Sequence, residues 1–184
     1  MLKNVGLKYD SMTPNEVSSS DTRVIITTKS EASMIDGQNV IIFSDVSAYP
    51  ILFKAKILKN MAGNNQDDIL IIGVDPGNRI GICILYLHAE LQRMVQSSSA
   101  DTIKLITLIL QGIPAREKIV RIGDGHRGIA YSIAYEIRKR FKNEVTIELV
   151  DEFGTSRSSS SNRRGNKDEA SARSIASRKG LLFK

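Results

Sequence analysis

The chain has 184 residues, of which 41% are hydrophobic and 25% are charged, a composition typical of a globular protein with one or two domains. It contains no run approaching the roughly 18–20 uncharged apolar residues of a membrane-crossing helix, and the N-terminus lacks the apolar core of a secretory signal. With Cys83 as the single cysteine, an intrachain disulfide is excluded. These features favour a reducing cytoplasm and no membrane partner.

The charge is unevenly distributed. The formal net charge of +6 favours a polyanionic partner, and the basic residues are concentrated after residue 154, where only Asp168 and Glu169 oppose them. These basic residues are Arg157, Arg163, Arg164, Lys167, Arg173, Arg178, Lys179 and Lys184. A second basic group ends a predicted helix and comprises Arg138, Lys139, Arg140 and Lys142. It fits either a nucleic-acid contact or a solvated helix C-terminus that complements the macrodipole.

The first 68 residues predict a small α/β unit. Thr13, Pro14 and Glu16 have the pattern of a capping box with proline at the first helical position. Short apolar runs predict strands at 24–27 and 40–43 and helices at 31–35 and 51–61. The polar, turn-rich stretch 63–68 then indicates a boundary. We therefore expect an N-terminal unit at 1–68, of unassigned role, and a second domain at 69–184.

The second domain has a more regular pattern. Three strands come first, followed by an alternation of helix and strand that ends in a helix. The predicted strands are 69–74, 80–86, 90–95, 118–122 and 145–150, and the predicted helices are 100–111, 129–141 and 168–179. This order predicts an α/β domain with a mixed five-stranded sheet and flanking helices.

Acidic residues fall at the ends of these elements. Asp75 ends the first strand, Asp124 follows the fourth, and Asp151 and Glu152 follow the fifth. The carboxyl ends of parallel strands meet at one edge of a sheet, where ligands bind. Asp168 begins the last helix and shares a face with residues 172, 175 and 176, which are apolar, so it is expected to point toward the sheet. The alternative is that Asp168 only caps the helix N-terminus.

Converging carboxylates repel one another unless a cation lies between them. Mg²⁺, or Mn²⁺ in its place, prefers such oxygen ligands, and a pair of ions about 4 Å apart supports phosphodiester cleavage. The segment 154–166 lies between two of the acids, and its basic residues could hold a nucleic-acid backbone. These candidates are Arg157, Arg163, Arg164 and Lys167. The alternative is a linker with no binding role.

Several of these segments resemble the RuvC-like and YqgF-like branch of the RNase H-like nuclease superfamily, which includes Holliday junction resolvases. GVDPGNRIG resembles its first-strand motif, IVRIGDGHRG its fourth strand, LVDEFGTSR the next acidic stretch, and DEASARSIASRKG its C-terminal helix. The resemblance covers about residues 69–180. It implies an RNase H-like fold with Asp75, Glu152 and Asp168 as catalytic metal ligands, and Asp151 or Asp124 as alternatives for the second acid.

The resulting hypothesis is a Mg²⁺-dependent endonuclease, a DNA-binding hydrolase that uses two metal ions to cleave structured nucleic acid. Branched DNA such as a Holliday junction and structured RNA are both candidate substrates. Two symmetric incisions in a junction would call for a homodimer. The first alternative is a non-catalytic nucleic-acid-binding protein with the same fold. An actin-like or sugar-kinase-like ATPase is less favoured, because Pro76-Gly77-Asn78-Arg79 replaces the Gly- and Ser/Thr-rich phosphate hairpin.

Overall fold

The chain forms two compact units, residues 1–66 and 67–184. The computed structural model describes residues 8–17, 24–35, 39–42, 49–63, 67–151 and 164–184, with the backbone alone at 164–166. The division falls in the polar stretch 63–68, of which residues 64–66 lie outside the described residues.

The first unit contains a two-stranded parallel sheet. Its elements are α1 (Pro14–Val17), β1 (Ile25–Thr27), α2 (Lys29–Ala32), β2 (Val40–Ile42) and α3 (Pro50–Ala62). Ile41 of β2 packs with Phe53 and Ile57 of α3 in a small buried cluster. At the capping box predicted for α1, the Thr13 N–H donates to the Glu16 carboxylate at 2.7 Å, which is one of the two bonds of that motif.

The second unit is an α/β domain built on a mixed six-stranded sheet. Its elements are β3 (Ile69–Asp75), β4 (Ile80–Tyr86), β5 (Ala89–Gln96), α4 (Ser99–Gly112), β6 (Glu117–Gly123), α5 (Arg127–Phe141), β7 (Thr146–Val150), α6 (Arg164–Ala176) and β8 (Leu181–Leu182). The strand order is β5-β4-β3-β6-β7-β8. Strands β3, β6 and β7 are parallel, whereas β4 and β8 are antiparallel to their neighbours. The predicted mixed α/β sheet is confirmed, with β8 as an additional edge strand.

The sheet separates two helical layers. On β3, Gly73 faces α6, whereas Ile72 and Val74 are fully buried and point to the other face of the sheet. Helices α4 and α5 pack on each other and on β5, β6 and β7. Strand β4 is apolar throughout and buried at every residue, as expected for an inner strand whose two faces are both covered. Within the described ranges, no helix is both long and apolar enough to cross a membrane.

Helix α6 packs on β3, β4, β5 and β6 through its small residues. Ala172, Ile175 and Ala176 are fully buried, so the face predicted to meet the sheet does so. The helix begins at Arg164 instead of residue 168 and ends at Ala176 instead of residue 179. Asp168 therefore lies in the second turn, which disfavours the alternative that it is only an N-terminal cap.

Candidate metal and nucleic-acid site

The parallel strands β3, β6 and β7 end at the same edge of the sheet. Asp75 is the last residue of β3, Asp124 follows β6, and Asp151 follows β7. Val74 pairs with Ile122 and Gly123 pairs with Val150, so the three strand ends are level. The Asp124 N–H donates to the Val150 carbonyl at 3.0 Å, which ties the ends of β6 and β7 together. The structure thus brings these three predicted acids to one edge.

Asp75 lies on the face of the sheet that α6 covers. It is two residues beyond Gly73, whose open side meets the backbone of α6, and strand alternation gives both residues the same orientation. Its partner across the hairpin is Gly81 of β4. Pro76 and Gly77 belong to the turn between these strands, as the sequence predicts. Asp75 therefore lies next to a position that has no side chain.

Asp168 reaches this position from the other layer. A Cβ on Gly81 would lie 2.7 Å from the carbonyl carbon of Asp168, so the backbone of α6 rests directly on Gly81. The side chain of Asp168 is 27% exposed and therefore half-buried. Gly81 thus has Asp75 beside it in the sheet and Asp168 above it, so the two acids with the greatest separation in sequence meet at one residue.

A basic residue lies beside this pair. The Nε atom of Arg79 is 3.8 Å from Oδ2 of Asp168. Arg79 belongs to the short turn that follows Asp75, between β3 and β4. It was missing from the sequence-derived site, although its position directly after the Asp-Pro-Gly turn was the available signal.

The candidates for the second predicted acid are Asp124, Asp151 and Glu152. Arg121 and Glu148 face α6, and strand alternation gives Gly123 and Val150 the same orientation. Asp124 and Asp151 come one residue later and are therefore expected on the opposite face of the sheet. Glu152 lies outside the described residues. In the part of the chain that the structure describes, no group of three or more His, Cys, Asp or Glu side chains could hold a metal ion.

The described acids nevertheless suit one class of metal. Asp75 and Asp168 offer hard carboxylate oxygens at the mouth of the site, which are the ligands that Mg²⁺ and Mn²⁺ prefer. The one cysteine in this region, Cys83, is buried beneath Ala172 and Ala176 and is unavailable as a soft ligand. Burial, followed by the negative charge of Glu90, raises the pKa of Cys83 to about 12. Both described carboxylates are therefore of the donor type that a divalent oxygen-binding cation uses.

The predicted nucleic-acid contacts are partly placed. Arg157 and Arg163 lie outside the described residues, and Arg164 is described only as the first residue of α6. Lys167 is exposed and directly precedes Asp168.

The second basic group, at the end of α5, contains one residue that stabilises the fold and three that are exposed. Arg138 donates to the carbonyls of Lys142, Val145 and Phe183, so it serves the fold at the helix C-terminus. Lys139, Arg140 and Lys142 are exposed. The structural interpretation therefore holds for Arg138, and three cations remain at the surface.

A buried ion pair anchors the opposite end of α6. Arg121 Nε lies 2.8 Å from Glu148 Oε2, and both side chains are nearly inaccessible, at 12% and 5% exposure. Arg121 also donates to the Ala176 carbonyl at 2.6 Å, and Glu148 accepts from the Gly180 N–H at 3.1 Å. This pair was not predicted as functional. Its signal was one charge of each sign within two apolar strands.

Neither the scan against protein-family models nor the search of curated proteins finds a match to this chain.

Proposed function

We propose that the second unit is a Mg²⁺- or Mn²⁺-dependent endonuclease of the RuvC-like, RNase H-like type that cleaves structured nucleic acid. The observation that carries the proposal is the meeting of Asp75 and Asp168 at Gly81, at the edge where three parallel strands end. Two acidic residues from separate layers lie beside Gly81 at the carboxyl ends of parallel strands, where open α/β sheets bind their ligands.

The topology supports this assignment. An antiparallel meander, β3-β4-β5, is followed by two parallel strands, β6 and β7, on the other side of β3. This is the strand arrangement that the motif resemblance implies for an RNase H-like domain. The helix carrying the last acid lies across β3 and β4, next to the strand carrying the first.

In this proposal, Asp75 and Asp168 hold the metal, and a third carboxylate completes the site. Divalent ions bound there would activate a water and stabilise the leaving oxygen of a phosphodiester. Glu152 is favoured as the third acid because the motif resemblance gives it that role. Asp151 follows Val150 and is expected on the face of the sheet opposite α6. Asp124 and Asp151 remain the alternatives.

The basic residues supply substrate affinity. Lys167 is exposed beside Asp168. Arg157 and Arg163 precede α6 in the sequence, and Arg164 is its first residue. Such cations bind phosphates without reading the base sequence, so binding is expected to weaken steeply with salt. Recognition of branched or structured substrates would then depend on shape.

The test is cleavage of labelled four-way DNA junctions, linear duplex DNA and structured RNA in Mg²⁺, Mn²⁺ or EDTA. Wild type is compared with Asp75→Asn, Asp168→Asn and Glu152→Gln. Glu117→Gln is the matched control, because Glu117 is an exposed acid at the opposite end of the sheet. The proposal predicts metal-dependent cutting that the three site variants lose and the control retains.

Two further measurements on the same proteins, nucleic-acid binding and ATP hydrolysis, address the two alternatives. Tight binding without cutting in any metal would replace the nuclease with a non-catalytic nucleic-acid-binding protein. ATP hydrolysis without nucleic-acid cutting would favour the actin-like or sugar-kinase-like interpretation. Either result would overturn the endonuclease assignment.

A further inference from the structure

Arg79 forms a loose ion pair with Asp168 at the mouth of the site. The 3.8 Å between Arg79 Nε and Asp168 Oδ2 is an ionic contact and is too long for a hydrogen bond. The Arg79 side chain is 56% exposed, so solvent weakens the attraction further. The pair can therefore separate at little cost.

The backbone at Arg79 has much less freedom than its side chain. Ile80, the next residue, is 2% exposed and pairs with Gln96 in the sheet, and Asp75 on the other side of the turn pairs with Gly81. Any movement of the guanidinium must therefore occur by side-chain rotation.

A cation beside a proposed metal ligand needs an explanation. An arginine stays protonated at all accessible pH values, so it cannot join a metal coordination sphere, and it competes with a divalent cation for the carboxylate. Its planar guanidinium matches the geometry of a phosphate group, to which it can donate two parallel hydrogen bonds. The two properties suit a residue with different partners in the empty and the occupied site.

We propose that Arg79 neutralises Asp168 while the site is free of metal and becomes a phosphate-binding, substrate-positioning residue when a divalent cation takes Asp168. This inference rests on the proposed function. It adds a nucleic-acid contact on the β3–β4 turn, separate from the basic residues that precede and begin α6. It also predicts that Arg79 opposes metal binding but favours substrate binding.

The experiment compares wild type with Arg79→Gln, using Arg116→Gln as the control. Arg116 is an exposed arginine next to the start of β6, at the opposite end of the sheet. Mn²⁺ affinity is measured by titration calorimetry without nucleic acid. Binding of a labelled four-way DNA junction is then measured in Ca²⁺ over a range of salt concentrations.

For Arg79→Gln, the expected result is Mn²⁺ binding that is about two- to fivefold tighter, from removal of a weak competing ion pair. Junction binding becomes weaker, and the slope of log K against log salt falls by about one. Arg116→Gln leaves Mn²⁺ affinity unchanged. A purely structural residue would not change the two affinities in opposite directions.

Unchanged or weaker Mn²⁺ binding in Arg79→Gln, with wild type binding Mn²⁺ normally, would overturn the inference and leave the proposed function standing. Absence of Mn²⁺ binding in wild type would overturn both. Arg79→Lys provides a second check: it keeps the charge, so Mn²⁺ affinity should stay near wild type, whereas junction binding should weaken through loss of the two-pronged contact. Tighter Mn²⁺ binding in Arg79→Lys, equal to that in Arg79→Gln, would count against the charge-competition step.

Discussion

Gly81 of β4 and Asp168 of α6 touch through their backbones, and a Cβ added to Gly81 would lie 2.7 Å from the carbonyl carbon of Asp168. A second glycine makes a similar contact further along the helix, since a Cβ on Gly73 would lie 2.7 Å from the backbone nitrogen of Ala176. The pair of glycines sets the height of α6 above the sheet. The position of Asp168 relative to Asp75 therefore depends on the absence of two side chains.

Gly81→Ala is predicted to displace the start of α6, because the atoms it meets belong to backbone and cannot rotate away. We expect a loss of about 1–3 kcal/mol in the free energy of unfolding, as for other overpacked sites. We also expect at least tenfold weaker Mn²⁺ binding. Urea denaturation and calorimetry measure the two effects.

The matched control is Gly128→Ala in α5, where an added Cβ meets nothing within 4 Å. This variant should be neutral or more stable by about 0.5–1 kcal/mol, since alanine is the better helix former. Wild-type stability and wild-type Mn²⁺ affinity in Gly81→Ala would show that α6 does not depend on this contact.

The buried pair Arg121–Glu148 is predicted to be costly to break singly. Arg121→Ala leaves Glu148 buried without its cation, and the free energy of unfolding should fall by about 3–5 kcal/mol. The double variant Arg121→Met with Glu148→Leu should recover most of that loss, because an apolar pair of similar volume needs no charge compensation. Denaturant titration of wild type, Arg121→Met, Glu148→Leu and the double variant gives the coupling.

The exposed pair Lys104–Asp101 supplies the comparison, with side chains 77% and 51% exposed. Lys104→Ala should change the free energy of unfolding by less than about 1 kcal/mol. If Arg121→Ala changed the free energy of unfolding equally little, the Arg121–Glu148 network at the end of α6 would not contribute to stability.

Cys83 predicts an alkaline loss of stability. Its thiol stays protonated in the folded chain, where its pKa is about 12, while the unfolded chain loses that proton near the ordinary thiol pKa. The stabilising contribution is complete below about pH 9 and is lost as pH rises toward the folded value, at up to about 1.4 kcal/mol per pH unit. Denaturation measured between pH 8 and pH 10 should show this slope.

Cys83→Ala should reduce that slope, whatever it does to the stability at neutral pH. The buried Tyr86 hydroxyl, whose pKa burial also raises, accounts for a slope that persists near pH 10. Thiol reagents should modify wild-type Cys83 only as fast as the protein opens, because the residue is fully buried. Rapid modification of the folded protein, or an unchanged slope in Cys83→Ala, would contradict this description of the packing beneath α6.

The β4–β5 hairpin contains a correctable strain. Leu87 and His88 form its turn with φ angles of 49° and 63°, a left-handed conformation that suits Asn and Gly. Leu87→Asn with His88→Gly should raise the free energy of unfolding by about 1 kcal/mol, or Tm by about 2–4 °C. Thermal denaturation measures the gain, and a lower Tm would mean that these side chains contribute packing that outweighs the backbone strain.

The β3–β4 hairpin and the helix–strand crossovers of the second unit could be predicted from the sequence because their signals are local. Asp75-Pro76-Gly77-Asn78 between two apolar runs specifies a turn, and the alternation after residue 98 specifies helices and strands. Strand β8 could not be predicted, since Leu181 and Leu182 are two exposed residues with no periodicity. Its pairing depends on Gly180, which approaches the Leu149 carbonyl closely.

The site was predictable only in part, for a related reason. The acids could be identified because each follows an apolar element, and the alanines of α6 oriented Asp168. The start of α6 was missed by one turn, because Arg164, Gly165 and Asn166 have the composition of a loop. Arg79 and the pair Arg121–Glu148 depend on register and three-dimensional proximity, which no single stretch of sequence encodes.

The most direct test of the central claim is Mn²⁺ titration of wild type, Asp75→Asn, Asp168→Asn and Glu117→Gln without nucleic acid. If the two acids that meet at Gly81 hold a divalent cation, wild type and Glu117→Gln bind Mn²⁺ alike, and each site variant loses at least tenfold in affinity. Equal Mn²⁺ binding by all four proteins, or by none, would contradict the claim that Asp75 and Asp168 form a metal site.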